Sequence, residues 1–354
     1  MSAALKPAIT RPELDVWLAG GLSLVAMAVL GVLAVTTAPD LVNAKFLWLN
    51  AVINGPHFLV SYRLLYASRE NARRYPWASL WVPLLLLAWG AVALGLSAVN
   101  PDWSWGLDAL FAVNAVYLSL HYTGQAWGMV STFSQLEGLR FAPAERTLLR
   151  LFLRGMAAWH VHWLLRQTVW TPGPEHAALA HGLEAAVNAF AAVSLVVGLA
   201  TLWRAASRSG HRLPARVAVP YLALHAWYLL LFLHPGALFW VQIAHALQYL
   251  PFPLRVELNR QAVHADAARR TGVSMAWVLG ASVLVFAGLP WLSHVAGPLA
   301  RSGWEVAVAL INIHHYFIDG CIWHIRNPVV SEELFAHIRR APPATTPQPG
   351  QVAA

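Results

Sequence analysis

The chain is poor in two things that soluble proteins carry in quantity. Charged side chains make up 11% of its 354 residues, against about 25% in an ordinary soluble domain. Cysteine occurs once, at Cys321. That excludes an internal disulfide, a Cys-rich zinc site and a cysteine-bound iron–sulfur cluster. Carboxylates are scarce inside the apolar stretches, where Asp108, Glu184, Glu305 and Asp319 are the candidates. No paired Glu-x-x-His occurs, so the bundle-type dimetal carboxylate site is excluded as well. No internal repeat stands out, which counts against an inverted-repeat transporter. The start of the chain has no short apolar region followed by a small-residue cleavage site, so the first apolar run is expected to stay as an anchor rather than be removed.

What is abundant is apolar: 58% of the residues are hydrophobic, and there are 18 Trp, which suit interfacial belts and tight interior packing. The pattern predicts an all-α, polytopic transmembrane bundle. Ten spans of roughly 17–25 residues are read at about 14–37, 42–65, 77–99, 106–130, 148–170, 178–203, 217–234, 237–254, 274–294 and 302–325. The seventh and eighth are separated only by His234-Pro235-Gly236 and are expected to form a tight hairpin or re-entrant pair. Residues 1–340 then form one membrane domain, and the Pro-rich 341–354 is expected to be a disordered tail. The polar stretch 255–272 reads as a short surface helix.

The placement of cations tests the span count. Lys6 and Arg11, and the Arg groups at 63–74, 140–154, 204–216, 255–270 and 326–340, fall on one side of a ten-span chain. Only Lys45, Arg166 and Arg301 fall at or near the other, a split of 21 to 3 among 24. By the positive-inside rule both termini are cytoplasmic, and a bacterial inner membrane is the expected location. The net charge of +8 is thereby explained without nucleic acid as a partner.

Histidine sits inside the apolar spans. His57, His121, His160, His162, His225, His245, His314 and His315 lie within them, where ionisable groups are costly and face an interior or a cavity. Counted from the flanking arginines, most lie roughly 9–15 Å inside the cytoplasmic boundary. A lone intramembrane histidine is ordinarily an interhelical hydrogen-bonding group; the shared depth argues for a common polar centre, and imidazole is the commonest protein metal ligand. His162, which diverges by about 200° from His160 on a regular helix, is the member most readily assigned to packing. The remaining histidines fall in loops or near interfaces, with His324 at the end of the last span.

Polar companions accompany the histidines. Asn54 precedes His57 by three; Gln125 follows His121 by four; Gln248 follows His245 by three; Asn312 precedes His315 by three. His315 and Asp319 are four apart and share a helix face, whereas His314 points about 100° away. Asp319 is a ligand or an orienting partner for His315, and Tyr122, Tyr249 and Tyr316 are placed to donate hydrogen bonds near the site. The candidate ligands are His57, His121, His160, His225, His245, His314 and His315. A His-dominated site with at most one carboxylate suits non-haem iron, one ion or two, although zinc and copper also accept imidazole.

The blocks Asn54-Gly55-Pro56-His57-Phe58, His121-Tyr122-Thr123-Gly124-Gln125, His245-Ala246-Leu247-Gln248-Tyr249 and His314-His315-Tyr316-Phe317-Ile318-Asp319-Gly320 resemble those of bacterial membrane proteins similar to the Brp/Blh type of β-carotene 15,15′-dioxygenase. That resemblance implies a membrane-embedded, iron-dependent enzyme acting on a carotenoid or related lipid with O₂. Three readings remain open at this point. The first is an iron oxygenase, hydroxylase or desaturase on a lipid-soluble substrate, the latter two requiring a cytoplasmic electron donor. The second is a haem-binding cytochrome, and the third a proton- or metal-coupled transporter.

Overall fold

A computed structural model describes residues 7–36, 39–168, 170–323 and 328–339. The expected tail 341–354, Lys6, His324, Arg326 and Arg340 lie outside them. Among the described residues the secondary structure is helical, without strands. The helices are α1 (Pro12–Thr36), α2 (Pro39–Asn43), α3 (47–66), α4 (Arg69–Arg74), α5 (Trp77–Val99), α6 (Trp105–Leu136), α7 (Pro143–Thr168), α8 (Pro174–Arg208), α9 (Ala215–Leu233), α10 (Leu238–Tyr249), α11 (Pro251–Gln261), α12 (Ala267–Ala296), α13 (Pro298–Ile322) and α14 (Pro328–Arg339).

Five of these, α1, α5, α8, α9 and α12, are long and apolar enough to cross a membrane. Four of the five bury only 22–28% of their most apolar window, so they form the rim of the bundle and turn Leu84, Leu85, Trp277 and Leu284 outward. The helices that carry His57, His121, His245 and His315, namely α3, α6, α10 and α13, are not among the five. Their polar side chains dilute the apolar signal, and they occupy the middle. Helix α6 packs on α5, α7, α9 and α13, and α13 packs on α3, α5 and α6. At 12 residues, α10 is only about 18 Å long and lies inside the bundle against α1 and α3. It follows α9 through the turn Pro235–Ala237, the tight connection read from the sequence.

Three helices widen into a π turn at Asn50–Asn54, Trp77–Trp81 and Leu284–Gly288. Each turn ends two residues before a proline, at Pro56, Pro83 and Pro290. Proline lacks the N–H of the helical ladder and its ring crowds the carbonyl four residues earlier. Those carbonyls belong to Val52, Ser79 and Phe286, all within the widened turns, and opening the turn relieves the crowding. In α1 the irregularity has another source: Gly20 adopts φ +150°. A Cβ there would lie 2.9 Å from the Ala223 Cβ and 3.0 Å from Gln248 Nε2.

One end of the bundle gathers the basic segments. Arg63 bonds Glu257 at 2.8 Å, Arg255 Nε donates to the Ile9 carbonyl at 2.5 Å, and Arg208 pairs with Glu145. Arg216 is 2% exposed; it donates to Glu137 at 2.6 Å and to the Pro7 carbonyl at 2.7 Å, with Asp15 at 3.7 Å. Glu145, at the start of α7, is held below the usual carboxylate range first by its hydrogen bond from Arg208. Helix α14 closes this end over α11. Arg260 pairs with Glu333 at 2.8 Å, Asn259 donates to the carbonyls of Glu333 and Leu334, and His337 Nε2 lies 2.8 Å from the Ala8 carbonyl. The N-terminal segment and the last described helix therefore share a face. The polar stretch expected to be one surface helix is instead α11, a turn and the start of α12, and α11 is half interior, with Phe252, Val256, Glu257 and Asn259 buried.

Helix α3 is pressed on α12 at Gly55. A Cβ on Gly55 would meet Ser282 Oγ and come within 2.6 Å of the Phe286 ring, while Ser282 Oγ donates to the Ala51 carbonyl at 2.5 Å. Gly55→Ala is therefore expected to destabilise the protein by about 1–3 kcal/mol through overpacking. The effect should appear as a lowered thermal midpoint in detergent. Adding Ser282→Ala should recover only part of it, because Phe286 stays in place.

Candidate metal centre

The π turn at Asn50–Asn54 feeds directly into Gly55-Pro56-His57 and sets the face on which His57 emerges. Helix α6 brings His121, α10 brings His245, and α13 brings His315 and, one turn later, Asp319. These four imidazoles meet. His57 Nε2 is 2.9 Å from His315 Nε2, and His121 Nε2 is 2.9 Å from His245 Nε2. The ring centres of His57 and His245 are 4.9 Å apart, as are those of His121 and His315. One ligand nitrogen from each of His57, His121 and His315 lies within 4.8 Å of the others. All four side chains are nearly sealed, His315 at 0%, His57 at 1%, His245 at 3% and the His121 side chain at 6% exposure.

The carboxylate of Asp319 stands beside the rings with its two oxygens differently engaged. Oδ1 accepts from Ser61 Oγ at 2.7 Å and from Tyr249 OH at 3.0 Å. Those two hydroxyls are themselves 2.5 Å apart, and Trp323 Nε1 donates to Tyr249 OH at 2.7 Å. Oδ2 faces the imidazoles, 3.4 Å from His315 Nε2 and 3.9 Å from His121 Nδ1. The outer oxygen is thus anchored on hydroxyls, while the inner one faces the rings. Aromatic rings box the cluster. Tyr249 stands edge-on to His57 at 4.3 Å, Tyr316 stacks on His121 at 4.6 Å, and Tyr122 lies on His245 at 4.4 Å.

Other sequence candidates lie elsewhere. His160 is fully buried but on the far side of Tyr122, with its Nδ1 3.1 Å from Tyr228 OH. His225 is tied to Ser194 Oγ at 3.1 Å and the Tyr221 carbonyl at 2.9 Å. His314 turns away to the Ala78 carbonyl at 2.6 Å and packs edge-on to Tyr62. The structure thus separates these three from the four-ring cluster. His162 is half-buried near Trp170, apart from His160 as the helix angle requires. Among the polar companions, Gln125 Nε2 donates to the His245 carbonyl at 3.2 Å. Asn54 Nδ2 donates to Asn50 Oδ1 at 2.9 Å within the π turn. Gln248 is buried with its Nε2 unpartnered near Gly20, and Asn312 is buried one turn before His315. Ser61 was missed by sequence reading, although its spacing of four from His57 on α3 places it on the same face. Trp323 was missed for want of any such signal.

The donor chemistry fits a metal ion. His57 Nδ1, His245 Nδ1 and His315 Nδ1 are buried without a hydrogen-bond partner, and buried polar atoms are otherwise paired in the great majority of cases. Metal–imidazole bonds run about 2.0–2.1 Å, so two ligands of one tetrahedral ion sit about 3.4 Å apart. Asp319 Oδ2 is 3.4 Å from His315 Nε2, the tetrahedral spacing, and the paired Nε2 atoms at 2.9 Å are at the shorter spacing of neighbouring ligands about 90° apart on an ion with bonds of about 2.0–2.1 Å.

A cavity of about 420 Å³ opens beside the cluster, with His121, Tyr249, Tyr316 and Asp319 in its wall. That is within the usual range for small-molecule sites.

No protein-family model matches the chain, and no curated protein or solved structure does either.

Tyr249→Phe removes the contacts of one hydroxyl with Ser61, Asp319 and Trp323 and leaves buried groups unpaired. It is expected to cost about 1–3 kcal/mol, read as a shift in the unfolding midpoint of the detergent-solubilised protein. An unchanged midpoint would mean that the Ser61 bond alone holds the carboxylate.

Proposed function

We propose that the chain is an integral membrane protein of about ten spans with both termini cytoplasmic, and that His57, His121, His245 and His315, with Asp319 beside them, hold non-haem iron used to oxidise a lipid-soluble substrate. The observation that carries the reading is the convergence of imidazoles from four helices, with a carboxylate oxygen turned to two of the rings, beside a cavity. A bound redox-active metal with open coordination positions would supply activation of O₂.

The protein's own residues do the rest. Asp319 turns Oδ2 to the rings of His315 and His121 and fixes their orientation, while Ser61, Tyr249 and Trp323 hold the carboxylate in place through its far oxygen. Tyr122, Tyr249 and Tyr316 wall the rings off from water, which strengthens every electrostatic contact inside. The cavity seats the substrate against His121 and Asp319. A membrane location is supported by the apolar rim helices and by the clustering of basic segments at one end, which the positive-inside rule makes cytoplasmic.

The haem alternative is less favoured by the geometry. Axial ligation places a macrocycle between two imidazole nitrogens, and a separation of 2.9 Å between facing Nε2 atoms leaves no space for one.

Metal analysis of detergent-purified protein tests the reading. Near-stoichiometric iron is expected in the wild type, with at least a tenfold drop in His57→Ala, His121→Ala and His315→Ala. His225→Ala and His314→Ala are expected to keep it. Asp319→Asn should weaken retention against a chelator by about 10–100-fold, the usual effect of losing an orienting partner. Iron held equally by the first three variants would sink the proposal.

A further inference from the structure

The cavity beside the imidazoles runs along α6, lined from Tyr117 to Thr132 on that helix. Toward one end Tyr117 packs on Phe317 with ring centres 4.9 Å apart. Toward the other, Phe252, Trp323 and Leu334 of the closing helix α14 fill the section, with Leu334 only 1% exposed. From His121 to Thr132, which also lines the cavity, is eleven residues of α6, about 16 Å.

The opening is on the side, between α6 and α13. Gly124 and Gly128 line it on one helix and Gly320 on the other. A Cβ at any of the three would meet no atom within 4 Å, so these glycines do not serve helix packing. Gly124 and Gly320 are exposed, and Leu120 beside them is 49% exposed. The outer lip is therefore apolar and faces whatever surrounds the bundle. The inner wall carries polar groups: Asp319, 8% exposed, lies there beside His121, and Gln125 Oε1 is buried without a partner.

Neighbouring helices pack with their axes about 8–10 Å apart, and α6 and α13 remain in contact through Tyr117–Phe317 and His121–Tyr316. The space between them is what three missing side chains leave. A mainly apolar cavity that runs about 16 Å along α6 suits one hydrocarbon chain lying along the helix.

We infer that Gly124, Gly128 and Gly320 form a lateral slot through which one acyl chain of a membrane lipid enters from the bilayer and lies along α6, with a chain carbon against His121 and Asp319. This rests on the reading of the imidazole cluster as a metal site, since that reading makes the chain a substrate; the slot itself does not depend on bound metal. The three glycines are thus specificity-determining positions.

The probe is a phosphatidylcholine with a mid-chain diazirine, in liposomes containing the full-length protein. After irradiation, crosslinks are mapped by mass spectrometry, and iron content and thermal midpoint are read on the same samples. Wild-type crosslinks are expected to concentrate on 117–132 and 316–323. The double variant Gly124→Leu, Gly128→Leu is expected to lose at least tenfold of that labelling with iron content and midpoint unchanged. Gly320→Leu, on the opposite helix, should do the same and replaces the double variant should that fail to fold. Labelling spread evenly over exposed faces such as α5 and α8, or unchanged slot labelling in the folded variants, overturns the inference. Slot labelling in a protein without iron would keep the slot and sink the metal reading instead.

Discussion

Burying imidazole is the constraint on which this molecule is built. Four rings and one carboxylate sit where water is excluded, inside a bundle whose outer surface is largely apolar. Unpaired polar groups there cost several kcal/mol each. The fold therefore brings them together rather than leaving each to its own helix. His57, His121, His245 and His315 face one another in pairs, and Asp319 is fastened by Ser61 and Tyr249 on the side away from them. The rim helices can be almost featureless because they carry no such obligation. The middle helices cannot, and the deviations from regular geometry in α1 and α3 lie beside the residues with most to satisfy, at Gly20 against Gln248 and at the turn preceding His57.

The same economy appears at the basic end, with ions instead of neutral rings. Arg216 is enclosed between Asp15, Glu137 and the Pro7 carbonyl. A buried ion pair of this kind is weak evidence for stability, but removal of one partner is strongly destabilising. It ties the segment before α1 to α9, and Arg255 and His337 tie the same segment to α11 and α14. A seal over the cavity end and a clasp between distant parts of the chain are thus made by one set of contacts.

Much of this was legible in the sequence. The apolar windows fall mainly on helices, although 42–65 runs from α2 across residues 44–46 into α3 and five helices are long and apolar enough to cross a membrane; the spacing of four between His315 and Asp319 placed both on the face that meets His57. The 100° offset likewise sent His314 elsewhere, to Ala78. Depth along the membrane normal, counted from arginines, is one coordinate only. His160 and His225 were grouped with the others on that basis, but azimuth turns them toward Tyr228 and Ser194, and azimuth between helices depends on tertiary packing that no single helix encodes. Helix α14 was not foreseen. It is short and polar on one side, and its role comes from what it covers. Ser61 was within reach of the same spacing argument that selected Asp319, but a lone serine in an apolar span does not draw the eye as a carboxylate does.

The widened turn before His57 has a consequence for how this chain tolerates change in length. A π turn is equivalent to one residue inserted into a regular helix, and one residue is worth about 100° of rotation. Deleting any single residue within 50–54 lets the helix close into regular register, and everything on one side of the deletion turns by that angle relative to the other. The contact of Ala51 with α12 through Ser282 and Phe286 and the face that carries Gly55, His57 and Ser61 could then no longer both be met. Substitutions in this stretch are a matter of packing, whereas a change in its residue count acts as a change of phase between the membrane-facing scaffold and the centre it holds.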